Sequence, residues 1–600
     1  MKLHGQLLYL WIDDFNIFKN QEFYFTDKIS VNRHEIKKNT IELTITQNNV
    51  ASPNIINEIY PHSPVTSASI IVGNNGAGKT SIAEILYYIY TLGLADCNYI
   101  LIFENLNHSY SVYKSAEIKI KTNINTIKDK QELDNYIYYS PCFTTQHHMK
   151  NLDNFIDLST SYLLATDICI RGNNIIAATD ILGSPINNHR FMEIRRVCAL
   201  LSFLNNKDNI DDFRKQLPFQ SNLNITPIEL SKLYRDKDNW KLTQRKTQPE
   251  KFTKSDKIKK LLYYVSLEYV VSLHANEMNK DEKNIYKEHF LNYATLVIYN
   301  NYLVIHKYTG QIDYDNLDEK LKSISFCQYL LNLISMQEKK YTKQSTNNPH
   351  IALYNFINKL PKDFFYETGG RTTIPFITLE LKDYLEKAIT FIDVYQNCSF
   401  NDFLDIDMYP RLSSGESNIL SLFARLYEIK DRLTNSNNII FLDEIETTLH
   451  FSIQVKIVKL IIEFINLAFS DIDAQFQLVF ATHSPLLLSD FLPANTIKLK
   501  TRNTSYNKFT FADTKELDVL RGIDDESMFG ANLYKILSEG FFLQNGMIGD
   551  LSKSLINILI ENQQISHEHK EQLINLYGDP IIKMLIKNSI KYNHKDETEK

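Results

Sequence analysis

The sequence predicts an α/β fold: one head, built from a mixed β lobe and a parallel sheet flanked by helices, is split by a helical insertion and followed by a helical C-terminal region. Three observations carry this expectation. The stretch from Ser69 to Thr80 reads as a buried strand, a glycine-rich loop and the start of a helix. Strand and helix patterns of the same kind return only from Thr373 to Lys500. Between them, from about Leu163 to Lys362, helical patterns alternate with connections rich in Asn, Asp and Lys.

The N-terminal segments Leu7–Phe25 and Thr40–Thr46 alternate and are rich in β-branched and aromatic residues, as edge strands would be. The first apolar run is broken by Asp13 and Asp14 with no small-residue cleavage site behind it, so it reads as a strand and not as a signal peptide. After the glycine-rich loop, Ile82, Ile85, Leu86 and Ile89 recur at helical spacing, and strands are expected at Tyr99–Phe103, Tyr110–Lys114 and Tyr136–Ser140. Residues 1–165 therefore form the first half of the head, and 166–370 the helical insertion. Prolines such as Pro218, Pro227 and Pro249, together with clustered polar residues, interrupt the candidate heptads there, which argues against a long coiled-coil arm. Gly369-Gly370 reads as a hairpin turn into the second half of the head, 371–500, and residues 501–600 read as mainly helical with a polar tail.

At 600 residues the chain is several compact domains long, and its 44% apolar and 12% aromatic content argues for a folded protein. With 65 basic against 71 acidic residues, the formal charge of −6 does not mark nucleic-acid binding by bulk positive charge. Local contact with DNA or RNA stays open at Lys241–Lys260, where eight basic residues follow Trp240 and surround Phe252; a solvated charged linker is the preferred reading. Six cysteines without a CxxC pair suit a reducing cytoplasm, and no window has the apolar length to span a membrane.

The chemistry is concentrated in two places. Gly73-Asn74-Asn75-Gly76-Ala77-Gly78-Lys79-Thr80, with Ser81 behind it, matches GxxxxGK[ST] between a strand and a helix. Glycines turn backbone N–H groups toward phosphate oxygens, Lys79 neutralises the β- and γ-phosphates, and Thr80 offers a hydroxyl to Mg²⁺. Far downstream, the apolar run Asn438–Leu442 ends in Asp443 and Glu444, where Asp443 would hold the metal and Glu444 would act as general base on the lytic water. The expected ligands are ATP and Mg²⁺.

Two further motifs carry a resemblance. Leu412-Ser413-Ser414-Gly415-Glu416 resembles the signature sequence of ABC ATPases, with Ser414 in place of its first glycine, and opens a helix; helix capping by Ser413 and Ser414 is the bland reading of the same residues. Thr482-His483-Ser484-Pro485, after the strand beginning at Gln477, resembles the switch-histidine motif of RecF-, SbcC- and OLD-type ATPases, in which His483 would contact the γ-phosphate. Between them Glu446–His450 resembles the D-loop, and Gln146 stands where a Q-loop glutamine would. The order of these motifs is that of an ABC-type ATPase head. The resemblance implies a homodimer or higher homo-oligomer in which the signature of one copy closes over ATP held by the other.

The 332 positions separating Thr80 from Leu412 are too many for a transporter nucleotide-binding domain. The stretches Leu8–Phe23, Leu412–Ile429 and Phe529–Leu543 resemble RecF/OLD-type ATPases of bacterial anti-phage operons, similar to PtuA of Septu and of retron-linked systems. That resemblance implies antiviral defence, a separate HNH nuclease partner similar to PtuB, and, in retron versions, a reverse transcriptase with its RNA–DNA hybrid. The metal-binding acids of a C-terminal Toprim nuclease, as in OLD relatives, are not found; Glu539 reads as a solvated helical acid. Competing readings are a RecF- or SbcC-like repair ATPase clamping DNA, and an ATP-bound scaffold with little turnover.

Overall fold

The computed structural model describes residues 5–37, 40–49, 51–73, 76–91, 97–105, 108–124, 135–143, 154–167, 170–171, 174–175, 185–207, 211–227, 282–305, 321, 324–341, 348–368, 375–398, 404–433, 436–501, 517–521, 529–530, 556, 559, 567–575 and 583–588. The chain divides into two compact units, Met1–Gly530 and Ala531–Lys600.

The N-terminal lobe holds strands β1 (Gln6–Phe15), β2 (Phe18–Tyr24), β3 (Ile29–Lys37) and β4 (Thr40–Gln47), then helix α1 (Ile55–Ile59), β5 (Val65–Gly73), α2 (Lys79–Tyr90), β6 (Tyr99–Glu104), β7 (Tyr110–Lys114) and β8 (Lys119–Thr122). Two sheets, β2-β1-β6-β7 and β3-β4-β8, build it. The expectation of edge strands holds for β2 and is corrected for the others: β1 lies inside the first sheet and β4 inside the second. The reason is visible in β1 itself. Leu7, Leu10 and Ile12 face one core cluster while Leu8, Tyr9 and Trp11 face another, and an unbroken apolar run of this kind marks a strand covered on both faces.

The nucleus of the unit is a seven-stranded sheet in the order β10-β9-β17-β18-β5-β19-β20. Its members are β9 (Asn135–Tyr139), β10 (Phe155–Asp157), β17 (Ser436–Asp443), β18 (Ala474–Thr482), β19 (Thr496–Thr501) and β20 (Leu517–Arg521), together with β5. All neighbours pair in parallel except β20, which runs antiparallel to β19. The core residues of β5, β17 and β18, among them Ile70, Ile71, Phe441, Val479 and Phe480, are fully buried, as strands covered by helices on both faces require. Because β20 belongs to this sheet, the head extends past residue 500 and the 501–600 region is not wholly helical.

Around this sheet lie α3 (Thr160–Thr166), the short ribbon β11 (Ile170–Arg171) and β12 (Asn174–Ile175), α4 (Pro185–Asn205) and α5 (Asp211–Arg214). Then come β13 (Asn222–Pro227), α6 (Glu282–Ile305), α7 (Phe326–Tyr341), α8 (Pro349–Lys359), β14 (Phe365–Glu367), β15 (Pro375–Glu380), α9 (Leu381–Gln396) and β16 (Leu404–Tyr409). Strands β14-β15-β13-β16 form an antiparallel sheet that joins the insertion to residues beyond 370. The insertion is thus not purely helical. Leu223 and Ile225 are buried between less buried neighbours, the period of a strand. Strands β14 and β15 pair as a hairpin would, while Gly369-Gly370 lie outside the described residues. The unit is completed by α10 (Ser414–Glu428), α11 (Phe451–Gln454), α12 (Ile457–Ala468) and α13 (Pro485–Leu488).

In the second unit the described residues include α14 (His567–Asn575) and a small cluster of Leu559, Ile574 and Ile586. Among the described residues no helix is long and apolar enough to cross a membrane.

Candidate functional site

Three strands end side by side. Parallel register aligns Asp443 at the end of β17 with Ala481 of β18, and Thr482 with Val72 of β5, so Gly73, Asp443 and His483 emerge at one edge, outside the carboxyl ends of the parallel strands, where open α/β sheets place their ligands.

From β5 the chain turns into α2 through Gly78, whose φ of +91° is left-handed and favours glycine. Helix α2 has no side-chain N-cap, in contrast to α10, α11 and α13, so no capping side chain competes with an anion at its first turn. Lys79 is 5% exposed; its Nζ donates to Gly73 O at 3.0 Å and lies 3.3 Å from His483 Nδ1. Burial pushes its ammonium down to about 8, against the pull of Glu444, Asp443 and Glu446.

Asp443 is buried. Its Oδ2 accepts from Thr80 Oγ1 at 3.1 Å and from the Tyr138 hydroxyl at 3.0 Å, while its Oδ1 has no partner. Burial, and then the neighbouring Glu444 charge, push the carboxyl up to about 6. A buried carboxylate oxygen without a partner, next to a threonine hydroxyl and among three carboxylates facing one ammonium, is a donor set suited to a hard divalent cation such as Mg²⁺.

Glu444 follows with φ +50°, a left-handed conformation unusual for a side chain with a Cβ. Its Oε1 lies 3.1 Å from His483 Nε2, and that hydrogen bond holds the carboxyl below its usual range although burial opposes it. With Lys79 donating to Nδ1, the histidine carries its proton on Nε2 and donates to Glu444. Lys79, His483 and Glu444 therefore form one chain of hydrogen bonds across the site.

Three residues hold this arrangement in ways the sequence did not show. Glu446 accepts from the Thr482 hydroxyl and from His483 N, fixing the strand end that presents the histidine. Gln454 ties Leu449 O to the Ser484 hydroxyl. Tyr138 reaches Asp443 from the neighbouring strand β9. An acid two positions past Asp443-Glu444 is a readable signal; a tyrosine in an aromatic strand is not. His450 caps α11, accepting from Ser452 N at 3.2 Å.

The signature residues form a separate group. Ser413 and Glu416 close a capping box at the start of α10, with the Ser413 N–H donating to Glu416 Oε2 at 2.9 Å. The bond from the Ser413 hydroxyl, and then that from its N–H, hold the Glu416 carboxyl below its usual range. Ser413 and Ser414 are exposed, whereas Gly415 is buried where a Cβ would stand 2.6 Å from Thr448 O. Asn418 donates to the Thr448 hydroxyl at 2.6 Å, joining α10 to the turn that follows β17. Ala77 is buried and Ser81 lies on the first turn of α2. Asn74, Asn75, Gln146, Lys241–Lys260, Cys169 and Glu539 lie outside the described residues.

At its other end α10 enters an ionic network. Arg425 pairs with Glu193 of α4 at 3.0 Å and donates to Leu158 O and the Thr160 hydroxyl; Arg196 pairs with Asp167, Glu193 and Glu428. Asp167, His189 and Glu193 converge closely enough to suggest a metal site, but the two guanidinium groups already supply the compensating charge.

A family model described as an AAA ATPase domain matches residues 62–488, which contain every motif of this site. No curated protein matches the chain.

Proposed function

We propose, since the chain belongs to the AAA ATPase domain family, that this site binds ATP and hydrolyses its γ-phosphate, and that the chain is an ABC-type subunit of a bacterial anti-phage defence complex controlling a separate nuclease. The observation that carries the hydrolytic reading is the chain Lys79, His483, Glu444 set beside the unpartnered Asp443 oxygen.

The α2 N-terminus and Lys79 would bind the phosphates, and Asp443 with Thr80 would hold Mg²⁺. When bound, the cation would neutralise charge on the phosphate oxygens. Glu444 would take a proton from the attacking water at Oε1, the atom His483 now occupies. The histidine therefore restrains the base: its Nε2–H must turn to the γ-phosphate before Glu444 accepts a proton. Glu446, fixed to the backbone of His483, limits that movement to the side chain.

Exposed Ser413 and Ser414, at the start of α10, support a two-copy site in which this helix faces the nucleotide of a partner copy. The defence assignment, and with it an HNH nuclease similar to PtuB or a reverse transcriptase with RNA–DNA hybrid, is supported by the resemblance of Leu8–Phe23, Leu412–Ile429 and Phe529–Leu543.

Glu444→Gln tests both levels. Phosphate release should fall by about 10²-fold to 10⁴-fold with ATP binding retained; an unchanged rate rejects the assigned base. The same variant, tagged and recovered from its native host with Mg-ATP, should bring a nuclease with it. Recovery of a homodimer on genomic DNA alone would reject nuclease control in favour of a DNA clamp.

A further inference from the structure

Strand β9 carries three tyrosines whose hydroxyls reach three different motifs. Tyr136 donates to Ala83 O of α2 at 3.1 Å, Tyr138 to Asp443 Oδ2 at 3.0 Å, and Tyr139 to Asn418 O of α10 at 3.2 Å. All three rings are buried. Two of these bonds end on backbone carbonyls, which helix geometry already fixes. The third ends on a side chain that is free to rotate.

We propose that Tyr138 is a positioning residue for the divalent cation: its hydroxyl, with that of Thr80, saturates Asp443 Oδ2 and so commits Oδ1 to the metal. This rests on the ATPase reading of the site. A carboxylate can exchange its two oxygens by rotation about its terminal torsion, a soft, two-fold degree of freedom. Two hydroxyl donors on one oxygen hold the other in a single direction, and Oδ1 is the oxygen left without a partner. The two donors differ in origin. Thr80 belongs to the phosphate loop and is itself a prospective metal ligand, so its hydroxyl serves two groups. Tyr138 comes from the sheet, in register with Phe441 on β17, against whose ring it stacks at 6.3 Å and 30°. Its hydroxyl stays at the level of Asp443 whatever the loop does. Outer-shell partners of metal-binding carboxylates act in this way, and their loss typically weakens metal binding by about 10-fold to 100-fold.

The test compares Tyr138→Phe with Tyr136→Phe and Tyr139→Phe, each of which removes one hydroxyl from the same strand. Mn²⁺ is titrated into the full-length protein with ATP and followed by electron paramagnetic resonance, a readout that does not depend on turnover; the Mg²⁺ concentration for half-maximal hydrolysis is measured beside it. Tyr138→Phe should weaken Mn²⁺ binding about tenfold and raise the Mg²⁺ requirement in parallel, with the maximal rate at saturating Mg²⁺ largely kept. The two control variants should stay within about twofold of the parent in both, because their bonds do not touch a metal-binding side chain. If Tyr138→Phe binds Mn²⁺ as the parent does while Asp443→Asn abolishes binding, the positioning role is overturned and the ATPase site stands. Equal weakening in all three tyrosine variants would likewise overturn it, by showing a general effect of the strand. If the parent itself binds no Mn²⁺ with ATP, the ATPase reading fails and the positioning role with it.

Discussion

Replacing Arg425 by methionine should destabilise the head by about 3 kcal/mol, a cost within the range for removing one partner of a buried ion pair. Arg425 is 3% exposed and lies on α10, where it pairs with Glu193 and donates to Leu158 O and the Thr160 hydroxyl. Burial alone would raise the Glu193 carboxyl, but Arg425 and then Arg196 bring it down to about 2 from an ordinary 4.5. That shift corresponds to roughly 3 kcal/mol of favourable interaction, shared between two arginines. Arg425 thus contributes about half of it, and the orphaned Leu158 carbonyl adds roughly 1 kcal/mol more. Methionine keeps the aliphatic stem, so little packing is lost. Equilibrium guanidinium denaturation followed by tryptophan fluorescence measures the difference, and a cycle with Glu193→Gln should return a coupling of roughly 1–2 kcal/mol. The pH dependence gives an independent check. Glu193 has a lower pKa folded than unfolded, so its contribution is complete above about pH 4.5 and is lost as pH falls toward 2. The gap between parent and variant should therefore narrow from pH 5 to pH 3. A loss below about 0.5 kcal/mol, the ordinary value for a surface change, or a gap that does not change over that range, would refute the reasoning.

Two further outcomes follow from buried or strained groups. Asp157 is 2% exposed and burial pushes it up to about 6; its folded pKa is above its unfolded one, so it costs stability as pH rises from about 4 to 6. Asp157→Asn can still accept from Ser159 N and should raise stability near pH 7 by roughly 2 kcal/mol, with no gain at pH 4. Glu444→Gly should unfold at higher denaturant than Glu444→Ala, by about 1 kcal/mol, because glycine adopts φ +50° without the Cβ penalty; equal midpoints would show that the backbone relaxes.

The grouping of Lys79, Thr80, Asp443, Glu444 and His483 is legible in the sequence because Asp443, Glu444 and His483 sit where apolar strands stop, Lys79 and Thr80 open the helix that the glycine-rich loop joins to a third strand end, and parallel pairing forces such ends together. The capping role of Ser413 and Glu416 is equally local. Tyr138 and Arg425 are not legible. Each acts on a residue more than 200 positions away, and in the sequence a tyrosine reads as a strand former and an arginine on an amphipathic helix as solvent-facing. The interior position of β1 was open to inference from its unbroken run Leu7–Ile12, whereas the sheet within 166–370 depends on β13 pairing with strands beyond residue 370, which no local pattern announces.

Strand β5, which delivers the phosphate loop, has as its two neighbours β18 and β19, whose residues lie between Ala474 and Thr501. On the ribosome, at roughly 5–20 residues per second, about 400 residues must still be added after Gly73 before the first of these neighbours exists, a wait of roughly 20–80 s. The lobe sheet β2-β1-β6-β7, by contrast, is complete once Lys114 has emerged. A nascent chain thus carries Ile70, Ile71 and Val72 without their sheet partners throughout that interval, before the edge that forms the site exists. A chain broken off before about residue 500 therefore lacks the sheet on which the site is built.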